Sequence, residues 1–207
     1  TGVQGILWFE LTITGQSNHA GTTPMRMRRD PALAAARIAV TARGIADDLG
    51  GAQVATVGRV DLHPNLINVI PARATMTVDL RNTDATVLAE AERRLFDAID
   101  RVSADEDVTI EWRTLARFEP VAFDESVIAL VERCAIARDL TTMRLPSGAG
   151  HDAQMLARVC PAAMIFVPSV GGVSHNAAEF TDQSDLEAGA NVLLDVMCAL
   201  AAPDRSQ

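Results

Sequence analysis

Residues 6–14, ILWFELTIT, alternate apolar and polar, which puts Leu7, Phe9, Leu11 and Ile13 on one face of a half-buried strand. After the loop GQSNHAGTTPM, Asp30-Pro31 supplies an N-cap and a proline at the first helical position. Ile38, Ala42, Ile45 and Leu49 share one stripe of the helix that follows, and Gly50-Gly51 stop it. Residues 53–61 and 74–81 read as two more strands. In the second, Ala74, Met76, Val78 and Leu80 take the core side, and Thr75, Thr77, Asp79 and Arg81 the other. A helix from about Asp84 carries Leu88, Ala91, Leu95, Ile99 and Val102 at helical spacing, and VTIEWRTLAR, residues 108–117, makes a fourth strand. The order β-α-β-β-α-β predicts a ferredoxin-like split βαβ sandwich.

Beyond Phe118-Glu119-Pro120 the pattern changes. A helix capped by Asp124 precedes a short strand, TTMRL, and the loop PSGAGHDAQ, where Asp152 is placed to cap a helix through Met155 and Leu156. A buried strand, AAMIFVP at 162–168, then leads through GVSHNAAEF into a long helix with a capping box at Ser184 and Glu187. Two strands are too few for an independent sheet, so this half is expected to complete a larger α/β layer.

Composition sharpens the picture by subtraction. With 207 residues, 48% of them apolar, the chain can bury a core in one large or two small domains. A formal net charge of −9 argues against nucleic acid and against an anionic membrane surface as partners. No apolar run reaches the length of a bilayer span and no signal peptide is visible, so a cytoplasmic protein is expected. Cys134, Cys160 and Cys198 are odd in number and read as buried, reduced thiols. Every basic side chain is arginine, and tyrosine is absent too. That removes Schiff-base lysine chemistry, a P-loop lysine and tyrosine acid–base catalysis. No G-x-S-x-G elbow and no C-x-x-C pair occur.

The remaining chemistry rests on His, Arg, Asn, Asp and Glu. His19 lies in a glycine-flanked strand-to-helix loop; His63 precedes a proline in a turn and reads as structural. His151 with Asp152 opens a helix, and His175 follows a predicted buried strand, where α/β folds place their chemistry. One histidine cannot hold a catalytic zinc, which takes three protein ligands. Asn68 and Arg81 form a second candidate constellation. A guanidinium on the polar face of a strand can clamp a carboxylate through two parallel bonds, although local sequence favours a pair with Asp79 or Asp84.

Four stretches, GQSNHAGTTPMRMRRD, NVIPARATMTVDLR, PSGAGHDAQM and VPSVGGVSHNAAE, together resemble the hydantoinase/carbamoylase branch of the M20 metallopeptidase-like amidohydrolases. The resemblance runs from Thr1 to about Leu200. It implies a ferredoxin-like dimerisation (lid) domain at residues 6–118, with residues 1–5 and 119–207 forming part of an α/β catalytic domain. Members are about twice this length and hold two divalent cations, zinc or manganese, mostly through ligands preceding the TGVQG-like segment with which this chain begins. The resemblance therefore implies one half of an enzyme whose amino-terminal half is the missing partner. His175 matches the single metal ligand of the carboxyl-terminal half, and His19 the histidine that stabilises the tetrahedral oxyanion. Asn68 and Arg81 match the residues that hold the substrate carboxylate, and some of these groups act on a partner protomer's site. Glu179 is implied to orient the His175 loop, and His151 to line the catalytic domain. The implied substrates are N-carbamoyl-L-amino acids or ureido acids such as allantoate. An M20 aminoacylase or dipeptidase, and a non-catalytic dimerisation or regulatory module, are the competing expectations.

Overall fold

The computed structural model describes residues 1–201. After a two-residue strand β1 (Gly2–Val3), the first alternating segment forms strand β2 (Gly5–Thr14), with Leu7, Phe9, Leu11 and Ile13 buried. A short strand β3 (Asn18–His19) and a 3-10 turn over Met25–Met27 lead to helix α1 (Pro31–Leu49). The Asp30 carboxylate accepts from the Ala32 and Leu33 amides to cap α1, and Gly50, at φ 62°, ends it in a conformation that costs glycine least. Strands β4 (Val54–His63), β5 (Val69–Ile70) and β6 (Arg73–Asn82) follow. Helix α2 (Ala85–Glu106) is capped by Asp84, and strands β7 (Thr109–Phe118) and β8 (Val121–Ala122) complete this stretch.

The chain divides into two units, residues 4–121 and residues 1–3 together with those from Ala122 onward. In the first, an antiparallel sheet has the order β4-β6-β2-β7. That order is the one the β-α-β-β-α-β pattern demands, because each helix returns the chain to the far side of an intervening strand. On one face, β2 and β6 set Leu7 opposite Leu80, Phe9 opposite Val78, Leu11 opposite Met76 and Ile13 opposite Ala74. Against these buried pairs pack Ile38, Ala42 and Ile45 of α1 and Leu88, Ala91, Leu95 and Ile99 of α2, forming one core. The uncovered face is polar: Glu10 sits between Arg59 and Arg113, and Arg81 stands over the ring of Trp8.

The second unit holds helices α3 (Glu125–Ile136), α4 (Asp152–Leu156) and α5 (Gln183–Ala201). Asp124 caps α3. The Ser126 hydroxyl, with the Val127 amide, holds its carboxyl below the usual range. Ala135, Val192 and Val196 form the α3–α5 seam, and the Arg138 guanidinium binds both oxygens of Asp195 across it, lowering that carboxyl too.

Four sequence expectations fail in this unit. TTMRL (141–145) and AAMIFVP (162–168) form no strand: neither has a ladder partner among the described residues. The capping box at Ser184 and Glu187 does not form. Helix α5 starts at Gln183, with the Asp182 carbonyl accepting from the Asp185 and Leu186 amides, so Ser184 already lies inside the first turn. The cap of α4 is His151, whose Nδ1 accepts from the Ala153 amide, rather than Asp152. Lastly, Cys160 and Cys198 are exposed and only Cys134 is partly covered; all three are free thiols.

Candidate functional site

The His19 loop is built by its backbone. Strands β3 and β5 pair Asn18 with Ile70 and His19 with Val69, and the Ala20 amide donates to the Asn68 carbonyl at 2.9 Å. His19 and Asn68, far apart in sequence, are therefore neighbours. The imidazole Nδ1 of His19 accepts from the Gly21 amide at 2.9 Å and the Thr22 amide at 3.2 Å. With Nδ1 accepting two amides, the imidazole keeps its donor N–H on Nε2, for which no hydrogen-bond partner is found among the described residues. A Cβ on residue 21 would come within 3.3 Å of the imidazole, so glycine there lets the ring lie over the turn.

Two residues that the sequence did not single out hold this loop. The Arg28 guanidinium donates to the carbonyls of Ala20 at 2.6 Å and Thr23 at 3.2 Å. The buried Thr23 hydroxyl donates to the His19 carbonyl at 2.6 Å. The available signal was an arginine and a threonine inside a glycine-containing loop with several carbonyls to satisfy. His63, by contrast, closes β4 and receives the Ala72 amide on its carbonyl, a backbone role.

Arg81 stands elsewhere. At its end of the sheet it faces Ile6 and Val54, whereas Arg73, at the other end of β6, faces Thr14 and His63. Eight residue steps at about 3.3 Å each place roughly 26 Å of strand between those ends. The β3–β5 pair lies past the Arg73 end. Within one chain Asn68 and Arg81 therefore stand toward opposite ends of β6, which runs unbroken and is paired with β2 along its whole length. The local pair expected from sequence is present. Arg81 Nε and Nη2 bind the Asp79 carboxylate at 2.7–3.1 Å, and the guanidinium carbon lies 5.8 Å from the Trp8 ring centre. Asp79 thus orients the guanidinium, and Trp8 supplies a flat wall beneath it.

In the other unit His175 occupies a left-handed backbone conformation, φ 56°, and its amide donates to Glu179 Oε2 at 2.8 Å. Asn176 receives the Ala178 amide on its side chain and the Glu179 amide on its backbone, and the Val170 amide closes the loop on the Phe180 carbonyl. Glu179 therefore touches the His175 backbone and leaves the imidazole exposed. His151, with Nδ1 engaged as the α4 cap, is spent on the helix. No group of three or more His, Cys, Asp and Glu side chains is gathered for a metal among the described residues. One exposed imidazole does not fit a pair of cations by itself. No helix among the described residues is long and apolar enough to cross a membrane.

Comparison with known proteins gives this geometry a context. The model of peptidase family M20/M25/M40 matches residues 8–199. The chain is 38% identical over 193 residues to an allantoate amidohydrolase of Escherichia coli, covering 93% of this chain and 47% of that protein. It is 38% identical over 201 residues to an N-carbamoyl-L-amino acid amidohydrolase of Geobacillus stearothermophilus, covering 97% of this chain and 49% of that protein. A crystal structure of an amidase of the hydantoinase/carbamoylase family from Burkholderia vietnamiensis superposes with a TM-score of 0.94 at 42% identity, over 98% of this chain and 49% of that one. The chain spans about half the length of the curated relatives it matches. The loop around His19 and the loop around His175 each stand on a fold shared with these proteins, and the chain belongs to peptidase family M20/M25/M40, in its hydantoinase/carbamoylase branch.

Proposed function

We propose that this chain is the carboxyl-terminal half of a metal-dependent amidohydrolase that cleaves the ureido C–N bond of N-carbamoyl-L-amino acids or of allantoate-like ureido acids. Residues 6–118 are the dimerisation (lid) domain, and residues 1–5 and 119–207 part of the catalytic domain. His175 contributes one ligand to a pair of divalent cations, zinc or manganese, whose other ligands come from the amino-terminal half. When bound, the cations supply an activated water and polarise the ureido carbonyl. The observation that carries the reading is the engagement of His19 Nδ1 by the Gly21 and Thr22 amides. Its Nε2–H is a neutral donor available to an oxyanion that develops only in the transition state.

The two ends of the sheet divide the remaining roles. His19 and Asn68 stand at one end and Arg81 roughly 26 Å of strand away, so one small substrate cannot touch all three within a protomer. A homodimer through the 6–118 domain, whose outer strands β4 and β7 leave sheet edges to cover, resolves this. His19 and Asn68 of one protomer serve the site in which Arg81 of the other holds the substrate carboxylate. Exposed Met25, Met27, Leu66 and Ile67 flank the His19–Asn68 end, an apolar skin suited to lying against a second protomer.

The test joins the chain to the amino-terminal half of a relative and measures ammonia release from N-carbamoyl-L-amino acids and allantoate with added zinc or manganese. Metal-dependent turnover that His175→Ala abolishes is the expected result. Turnover of acylated amino acids or dipeptides alone would instead assign the chain to aminoacylase or dipeptidase chemistry. Arg28→Ala in the same enzyme should lower kcat by about tenfold to a hundredfold with a smaller change in KM, because a misplaced donor loses transition-state contact. Steady-state kinetics check this, and an unchanged kcat removes Arg28 from the positioning of His19.

A further inference from the structure

Arg37, early in α1, pairs with Asp105 and Glu106 at the end of α2, so the two helices run antiparallel. Between them lies a recess of about 350 Å³, walled by Thr41, Gly44 and Asp48 of α1 and by Arg93 and Arg101 of α2, with the buried Ile45 beneath. Two residues of the α1 wall break local rules with no structural return. Gly44 sits inside the helix, where glycine is among the least favourable residues, yet a Cβ there would meet nothing within 4 Å. Asp48 puts a negative charge in the last turn, at the end where the helix dipole disfavours it. No hydrogen bond or ion pair engages its side chain among the described residues, although its neighbour Asp47 is held by Arg43. Across the recess, Arg93 is spent on Glu90 and Asp97, and Arg94 on Glu90, whereas Arg101 has no partner among the described residues. Asp48 and Arg101 thus line one recess without pairing. Local rules broken together and left uncompensated mark a functional site.

We propose that this recess binds an aliphatic ω-amino acid, a zwitterion whose ammonium goes to Asp48 and whose carboxylate goes to Arg101. A cation beside Asp48 also offsets the negative end of the α1 dipole, and the guanidinium offers the carboxylate paired N–H groups. The helices set the length. With Arg37 opposite residues 105–106, Asp48 stands opposite about residue 94, roughly seven residues or 10 Å of helix from Arg101. That separation suits charges several bonds apart, and the one-carbon spacing of an α-amino acid falls short of it. The methylenes lie over Ile45 and the bare backbone of Gly44, in space that a larger side chain at 44 would fill. Three arginines and two aspartates line the recess, so neither a lone anion nor a lone cation meets complementary charge throughout. Binding here needs no turnover and no metal.

The experiment titrates the isotope-labelled chain with ε-aminocaproate and follows its amide resonances by NMR. Amides of residues 41–48 and 97–101 should shift together and saturate. Caproate, which lacks the ammonium, and hexylamine, which lacks the carboxylate, should each bind about fivefold or more weakly. Asp48→Asn and Arg101→Gln should weaken ε-aminocaproate by a similar factor, since each removes one charge contact. Gly44→Leu should abolish binding by filling the recess, without lowering Tm. Caproate binding as tightly as ε-aminocaproate would reduce the contact to an anion on Arg101 and overturn the zwitterion. Shifts that never saturate, or an affinity unchanged in Gly44→Leu, would overturn the site itself.

Discussion

His19→Ala, in a protein of its relatives' full length, should lower kcat by about 10²–10³ with a much smaller change in KM. The magnitude follows from where the donor acts. His19 does not contact metal in this reading, and its Nδ1 is held by the Gly21 and Thr22 amides, so the ring presents one N–H in a fixed direction. A preorganised donor facing charge that forms only in the transition state affects kcat, while ground-state binding is left to Asn68 and Arg81. Metal content should stay unchanged, which elemental analysis of the purified variant checks. His19→Gln offers a sharper comparison, because an amide N–H can replace Nε2–H only if the loop still aims it. Partial rescue by glutamine, with none by alanine, is the signature of a hydrogen-bond donor. A variant that loses metal, or whose KM rises in step with the fall in kcat, overturns the assignment.

How much of this was readable in advance depended on what each signal measures. The 4–121 unit was legible nearly to the residue. Its strands alternate and its helices repeat at helical spacing; the cap at Asp30 is local chemistry that needs no distant partner. The second unit was less so. AAMIFVP has the composition of a buried strand, but a strand is defined by its ladder, and composition cannot say whether the neighbour is present. The sequence pointed to Asp152 as the α4 cap, but the imidazole of His151, one residue earlier, takes that place with Nδ1 on the Ala153 amide. His19 was visible as a residue, but its tautomer was not, because the amides that fix it come from the turn geometry. The joining of His19 with Asn68 was equally hidden, since it depends on a two-residue strand pair spanning about fifty positions of sequence. Arg81 was the reverse case. The Asp79 pair is an i, i+2 contact on one face of a strand, and Asp79 was one of the two partners that local sequence offered.

Mixing two inactive variants should restore activity when, and only when, their lesions lie at opposite ends of the sheet. In the dimer proposed above, each site draws His19 and Asn68 from one protomer and Arg81 from the other. A protomer carrying His19→Ala still offers an intact Arg81, and one carrying Arg81→Ala still offers an intact His19 loop. Each mixed dimer then contains one site with both lesions and one with neither. Random pairing at equal concentration makes about half the dimers mixed, so about a quarter of wild-type activity should return. The partner pairing is the control. His19→Ala mixed with Asn68→Ala should recover nothing, because both residues enter the same site from the same protomer and every site keeps a lesion. The prediction rests on strand length: β6 is continuous from Arg73 to Asn82 and paired on both sides, so it cannot fold back to bring Arg81 to the β3–β5 end. Subunit exchange under mild denaturant followed by the ammonia assay reads the outcome, with light scattering to verify dimers. Recovery in the control pair, or none in the test pair while mixed dimers are present, would show that Arg81 and His19 serve one protomer's site and that the sheet's two ends do not divide the work.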